Sequence, residues 1–291
     1  VKLLVHGFGY SAEVLGRRLL REGWTVAGTS RRADRRGEIQ AMGAAPVDPG
    51  DPAALSAALS TADAILVSAP PTDRGCPGLA DLSPLLERGE GQPRWIGYLS
   101  TTGVYGDHQG RWVSERTQAT PQSPEGTRRF DAERAWLALG ERTGLAVMIF
   151  RLPGIYGPGR SAFTRLRQGL AARYAAPGHV VSRIHVEDLA AGLVASVHRP
   201  RPGGVYNLCD DAPAPSEAVT AYAAQLLGVE PPPLVPLDLD ALPPQARRFY
   251  LESRRVLNAR AKAELGWRLT YPDYRAGLAA VLSSETAAAS R

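Results

Sequence analysis

The chain has 291 residues, of which 44% are hydrophobic, so it is long enough for one large α/β domain, or one domain carrying a smaller lobe, with a sizeable core. No apolar run reaches the roughly 18–20 residues that a membrane span requires, which excludes a helical membrane protein. The net charge is +5 and the isoelectric point about 9.4, but the arginines are spread along the chain without interleaved aromatics, so no nucleic-acid partner is expected and a small-molecule partner is.

The predicted elements begin with a strand at residues 2–6 and a helix at 12–22, with Val14, Leu15 and Leu19 on one face. Strands follow at 24–30 and 44–47, a helix at 52–59, and strands at 64–68 and 96–100. A long helix is predicted at 128–140 and a strand at 146–151. This alternation calls for a doubly wound, Rossmann-type α/β fold: a parallel sheet with helices on both faces. The last third changes character. Residues 229–236 hold four prolines and read as a surface loop. Helices are predicted at 215–227, 253–265 and 274–282, with fraying over 283–291. The expected division is a dinucleotide-binding domain at 1–152, to which 180–210 return, and a smaller substrate lobe from 153–179 and 211–291.

The sharpest local pattern is His6-Gly7-Phe8-Gly9-Tyr10-Ser11-Ala12, which is GxGxxA between a strand and a helix. Gly7 permits the tight turn, Gly9 lets backbone approach a pyrophosphate, and the small Ala12 lets helix and strand pack closely. The amides of Tyr10, Ser11 and Ala12 then face the phosphates at a helix N-terminus. After the second strand stand Ser30, Arg31 and Arg32, where an NAD-binding protein usually carries a carboxylate; arginine there suits the 2′-phosphate of NADP. The expected cofactor is therefore NADP, with NAD the alternative. By position, Asp48 is expected at the adenine and Ala69 and Pro70 along the middle of the cofactor. The opening Val1-Lys2-Leu3-Leu4-Val5 leaves no room for a signal peptide's apolar core. Cys76 and Cys209 make neither a disulfide framework nor a metal set. A cytoplasmic protein without a metal is expected.

Several segments occur in an order similar to that of the extended short-chain dehydrogenase/reductases, which include NAD(P)-dependent epimerases and dehydratases. Ser100-Thr101-Thr102-Gly103-Val104-Tyr105-Gly106 resembles the SSxxVYG segment of that family. Arg151-Leu152-Pro153-Gly154-Ile155-Tyr156-Gly157-Pro158-Gly159 resembles RxxxxYGPG, and Ile184-His185-Val186-Glu187-Asp188-Leu189-Ala190 resembles IHVxDLA. Ser100 and Pro153, within these matches, are expected at the cofactor. The resemblance implies a catalytic Ser/Thr, Tyr and Lys, the lysine lowering the tyrosine's pKa. Thr101 fits the first role, but the tyrosine position holds Glu125 and the lysine position Arg129. Glu125 is read three ways: as a general base, as a surface partner of Arg129 at i,i+4, or as a mark that catalysis has been lost and binding kept. Tyr105 is expected to pack below the site, Tyr156 to wall the substrate pocket, His185 to make an orienting hydrogen bond, and His6 to pack beside the glycine turn. The resemblance implies either an oxidoreductase or epimerase-like enzyme for a small polar or sugar-nucleotide-like substrate, or a non-catalytic NADP(H) sensor. It also implies a possible homodimer.

Overall fold

The computed structural model describes residues 1–289. Its strands, in chain order, are β1 (Lys2–His6), β2 (Thr25–Thr29), β3 (Ala45–Val47), β4 (Ala64–Val67), β5 (Trp95–Thr101), β6 (Trp112–Val113), β7 (Val147–Leu152), β8 (Gly154–Tyr156), β9 (Arg173–Ala175), β10 (Arg183–His185), β11 (Val205–Asn207), β12 (Leu234–Pro236) and β13 (Arg255–Val256). The helices are α1 (Tyr10–Arg21), α2 (Ala33–Ala41), α3 (Pro52–Ser60), α4 (Pro77–Glu87), α5 (Pro124–Thr143), α6 (Ala162–Arg167), α7 (Val186–His198), α8 (Ser216–Leu227), α9 (Pro244–Leu251), α10 (Ala259–Leu265) and α11 (Tyr274–Ala289). No helix among the described residues is long and apolar enough to cross a membrane.

Seven strands form the main sheet in the order β11-β7-β5-β4-β1-β2-β3, and every pairing is parallel. This is the doubly wound α/β arrangement, with its switch of direction between β1 and β4. The central strands are continuous apolar runs because both sheet faces are covered; β4 and β7 are buried at every residue. One face packs Leu15, Leu19, Leu189 and Leu193 of α1 and α7. The other packs Leu82 and Leu86 of α4 against Ala132, Trp136 and Leu139 of α5. A smaller core, built on Phe163, Val219, Ala223, Tyr274, Leu278 and Val281, joins α6, α8 and α11.

The helix starts follow from their capping residues. Asp51 accepts the amides of Ala53 and Ala54 ahead of α3, with Pro52 in its first turn. Ser123 does the same for α5, accepting the Gly126 amide ahead of Pro124. That helix therefore starts four residues before the predicted 128 and carries Glu125 in its first turn. Five helices, α2, α4, α6, α7 and α9, have no counterpart in the predicted elements. The predicted helix 253–265 begins only at Ala259. Ser253 is held instead by hydrogen bonds to Asp107 and Val180, and Arg255–Val256 pair with β6. Within 229–236, Leu234–Pro236 pair with β9 as an exposed edge strand, where prolines are tolerated. The predicted fraying from 283 is replaced by helix through Ala289, where Glu285 accepts from the Gly159 amide and Arg167; residues 290–291 lie outside the described residues.

Candidate active site

The β1–α1 turn is built as a cradle for phosphate. Gly7 has φ +89°, and a Cβ there would lie 2.6 Å from the Ala69 nitrogen, so glycine is required twice over. Its amide donates to Thr29 Oγ1 at 2.9 Å. Gly9 differs: a Cβ built on it meets nothing within 4 Å, because the space above it is open. No side chain caps α1, so the amides of Tyr10, Ser11 and Ala12 keep the free N–H groups and positive dipole end that suit an anion. Ala12 is fully buried against the sheet. Ala69 and Pro70 follow β4, and the Ala69 amide donates to the His6 carbonyl at 3.1 Å, which brings this loop against Gly7. His6 itself bonds Asp81 at 2.8 Å. The open space over Gly9 and the uncapped helix fit a dinucleotide's pyrophosphate. The Tyr10 hydroxyl crosses to the Pro158 carbonyl at 3.2 Å, and burial pushes its phenol up to about 12.

At the end of β2 the arginines divide their work. Arg35 ties down Glu13, Glu38 and the Phe8 carbonyl. Arg36 turns back to the carbonyls of Ser30 and Arg31 and to Asp48 at 3.1 Å. Asp48 is thus a half-exposed ion-pair partner that also accepts the Gly50 amide. Ser30 Oγ accepts the Arg32 amide at 3.2 Å, and the Arg32 side chain pairs with Asp34. Arg31 has no ion-pair partner among the described residues and is exposed.

Thr101 ends β5 and opens on a cavity of about 290 Å³, lined also by Thr102, Pro153, Ser182, Arg248 and Arg254. Its Oγ1 accepts the Gly103 amide at 3.1 Å, which leaves the hydroxyl proton free to donate. Ser100, one residue earlier on the strand, points the other way. Its hydroxyl bonds the Glu133 carboxylate beneath the site, so the side chain expected at the cofactor is committed to the core. Glu133 also makes a buried ion pair with Arg151 at 2.7 Å. Arg151 lies 4.8 Å over the Tyr105 ring, whose hydroxyl donates to Asn207 at 2.8 Å. Burial works against the Arg151 charge, but Glu133 outweighs it and holds the guanidinium protonated. The Tyr105 expectation thus agrees with its buried position, and the network fixes the floor under Thr101.

The Glu125–Arg129 pair, one of the three readings of Glu125, is not formed. Glu125 is 56% exposed and pairs with Arg248 of α9 at 2.7 Å and with Arg128 at 3.8 Å. Its carboxyl is held below the usual range by its own backbone amide at the helix N-terminus and then by Arg248. Arg129 turns inward instead and donates to the Leu99 carbonyl, because α5 presents that face to β5. Glu125 therefore sits at the rim of the Thr101 cavity through Arg248, a contact across 123 residues that no sequence spacing reveals. Tyr156 does not wall the cavity. It is buried in the smaller core against Gly277 and donates to the Asp273 carbonyl at 3.4 Å. His185 Nδ1 accepts the Glu187 amide at 3.3 Å and caps α7, an orienting bond; burial pushes its pKa down to about 4. Asp188 of the same segment accepts the amides of Thr270 and Tyr271, which ties α7 to the segment ahead of α11.

Residues 89–209 match the profile of the NAD dependent epimerase/dehydratase family. A solved structure of a functionally unknown conserved protein from Silicibacter pomeroyi is 47% identical, with a TM-score of 0.90, over 97% of this chain and 98% of that one. Protein YeeZ of Escherichia coli is 29% identical over 94% of this chain and 97% of its own length. A 3-diazoavenalumate denitrifying reductase of a Streptomyces species is 34% identical over 46% of each chain. The parallel seven-stranded sheet, the open glycine cradle and the profile match agree: the chain belongs to the NAD dependent epimerase/dehydratase family.

Proposed function

We propose that this protein is an atypical NADP(H)-dependent reductase in which Thr101 activates a small substrate and no side chain takes the tyrosine's acid role. The observation that carries the reading is Glu125: exposed, paired with two arginines and held strongly ionised, it has no proton to give at neutral pH. An epimerase removes and returns a proton at one hydroxyl and so needs an acid–base group there. A reduction whose product takes its proton from water does not. The Streptomyces relative, named as a reductase of a diazo compound, supports reduction over epimerisation.

Gly9 and the first amides of α1 hold the pyrophosphate, and Arg31 with Arg32 attracts the 2′-phosphate that distinguishes NADP. Bound there, the reduced nicotinamide supplies hydride. Thr101 donates its hydroxyl proton in a hydrogen bond to the substrate's acceptor atom. Pro153 and Thr102 shape the cavity around that atom, and Arg248, latched by Glu125, closes its outer rim. Arg129 steadies the end of β5 through Leu99. The location is cytoplasmic in this reading, and a homodimer through sheet-flanking helices is compatible with it.

The test is NADPH oxidation across a panel of electrophilic carbonyl, imine and diazo compounds. Thr101→Val is expected to lower kcat/KM by about 10²-fold, the scale of one lost transition-state donor, while Glu125→Gln stays within about threefold of wild type. A collapse of activity in Glu125→Gln of about 10²-fold or more would instead make Glu125 the base. A second reading, an NADP(H) sensor without turnover, is favoured by the commitment of both Glu125 and Arg129 to structural contacts. It predicts NADPH binding with no oxidation of NADPH by any compound of the panel.

A further inference from the structure

A second cavity, of about 580 Å³, lies in the smaller lobe among α6, β9, α8 and α9, and Phe249 borders both it and the Thr101 cavity. Its volume is in the range of small-molecule sites. The wall is mainly apolar and carries three aromatic rings, Tyr174, Phe249 and Tyr250; Tyr174 and Tyr250 meet edge to face at 5.8 Å. Arg183 stands in this wall. Its Nη1 donates to the carbonyls of Val181 and Ala214, both at 2.8 Å, and its Nη2 to Ser216 Oγ at 3.1 Å. These bonds fix the guanidinium but leave its charge uncompensated, and Nε has no partner among the described residues. No carboxylate among them comes within ion-pair distance.

A desolvated guanidinium without a counter-ion is costly. Burial accordingly lowers the Arg183 pKa, with Asp210 the main opposing influence. Asp210 gives little help: burial pushes its own carboxyl up to about 8, so at neutral pH it is mostly protonated. A purely structural Arg183, clipping β10 to the 214–216 segment, accounts for the three bonds made but not for a charge turned to an open aromatic cavity. The unpartnered Nε–H of Arg183 remains to donate to a carboxylate. The other cation of the wall, Arg165, is exposed at the mouth and spends Nη2 on the Leu170 carbonyl at 2.9 Å, so the deep wall offers one cation rather than the several that a diphosphate calls for.

We propose that this cavity binds a flat aromatic carboxylate, with Arg183 as its counter-ion and the rings of Tyr174, Phe249 and Tyr250 against its faces. The inference deepens the reductase reading, on which it rests for the reacting end alone: the substrate class is an aromatic acid whose far end reaches Thr101, rather than a sugar nucleotide.

The experiment is calorimetric titration of the full chain with 2-naphthoate, with the uncharged isostere 2-naphthamide and with UDP, each with and without saturating NADPH. NADPH binding is read separately by its fluorescence. Naphthoate is expected to bind at least tenfold more tightly than the amide and than UDP, and Arg183→Gln to abolish the difference between acid and amide. Phe249→Ala alters a partly exposed side chain on α9 and spares the fold, so it gives an arm independent of Arg183; it should weaken acid and amide by the same factor. Equal binding of acid and amide to the wild type, no binding of either, tighter binding of UDP, or an unchanged response in Phe249→Ala overturns the proposal. If naphthoate binds as expected while NADPH does not, the aromatic-acid site stands and the cofactor reading falls; if NADPH binds and naphthoate does not, only the site falls.

Discussion

Glu125 and Asp210 are both carboxylates, and their surroundings drive them in opposite directions. Glu125 lies at a helix N-terminus among arginines and stays ionised. Its exposed pair with Arg248 contributes at most about 1 kcal/mol, so Glu125→Gln should shift Tm by no more than about 3 °C, which thermal denaturation checks. Asp210 is buried, and its Oδ2 has no partner. Its folded pKa of about 8 lies far above the ordinary 3.8, so the folded chain holds a proton that the unfolded chain releases. The associated stability is complete below about 4 and is lost as pH rises toward 8. His185 acts with the opposite sign: its folded pKa of about 4 lies below 6.5, so its contribution is complete above 6.5 and is lost as pH falls toward 4. Between pH 4 and 6.5 the two oppose each other, and between 6.5 and 8 only Asp210 acts. Wild-type Tm should therefore fall from pH 6.5 to 8, and Asp210→Asn should flatten that fall. A fall that persists in the variant would assign it to other groups.

At the level of elements, the two glycines of the β1–α1 turn make separable demands. Gly7→Ala forces a side chain into positive φ and onto Ala69, and should cost more than about 1 kcal/mol of stability. Gly9→Ala has room in the fold and an ordinary negative φ, so denaturant unfolding should barely change while NADPH binding weakens by roughly tenfold or more as the methyl fills the phosphate approach. If Gly9→Ala binds NADPH as the wild type does, the pyrophosphate does not lie there. Between α5 and β7, Glu133→Gln strands the Arg151 charge and should cost about 3–5 kcal/mol in unfolding free energy. The β1–α1 unit was legible in the sequence because its glycines and apolar runs are contiguous. α2 was not, since Ile39 is the one buried residue it offers among charged neighbours, and α4 was not, since Pro77 and Pro84 mask its pattern. β6 and β13 stabilise each other across the chain, so neither has a local signal. The same holds for the site: Thr101 and Pro153 could be read from their segments, whereas the partners of Glu125, Arg129 and Arg183 come from distant elements.

On the scale of the whole molecule, the parallel sheet delivers the ends of β1, β4 and β5 and the Pro153 turn to one edge, where ligands bind in sheets of this winding. Arg248 and Phe249 of α9 border that edge, and Phe249 is shared by the threonine-lined cavity and the aromatic annex. In the proposed function this edge takes a nicotinamide dinucleotide bearing a 2′-phosphate. The most direct measurement is calorimetric titration of the wild-type chain with NADPH and, in parallel, NADH. Saturable one-to-one binding of both, with NADPH the tighter, is the predicted result; NADH binding as tightly as NADPH or more tightly, or no binding of either nucleotide, contradicts it.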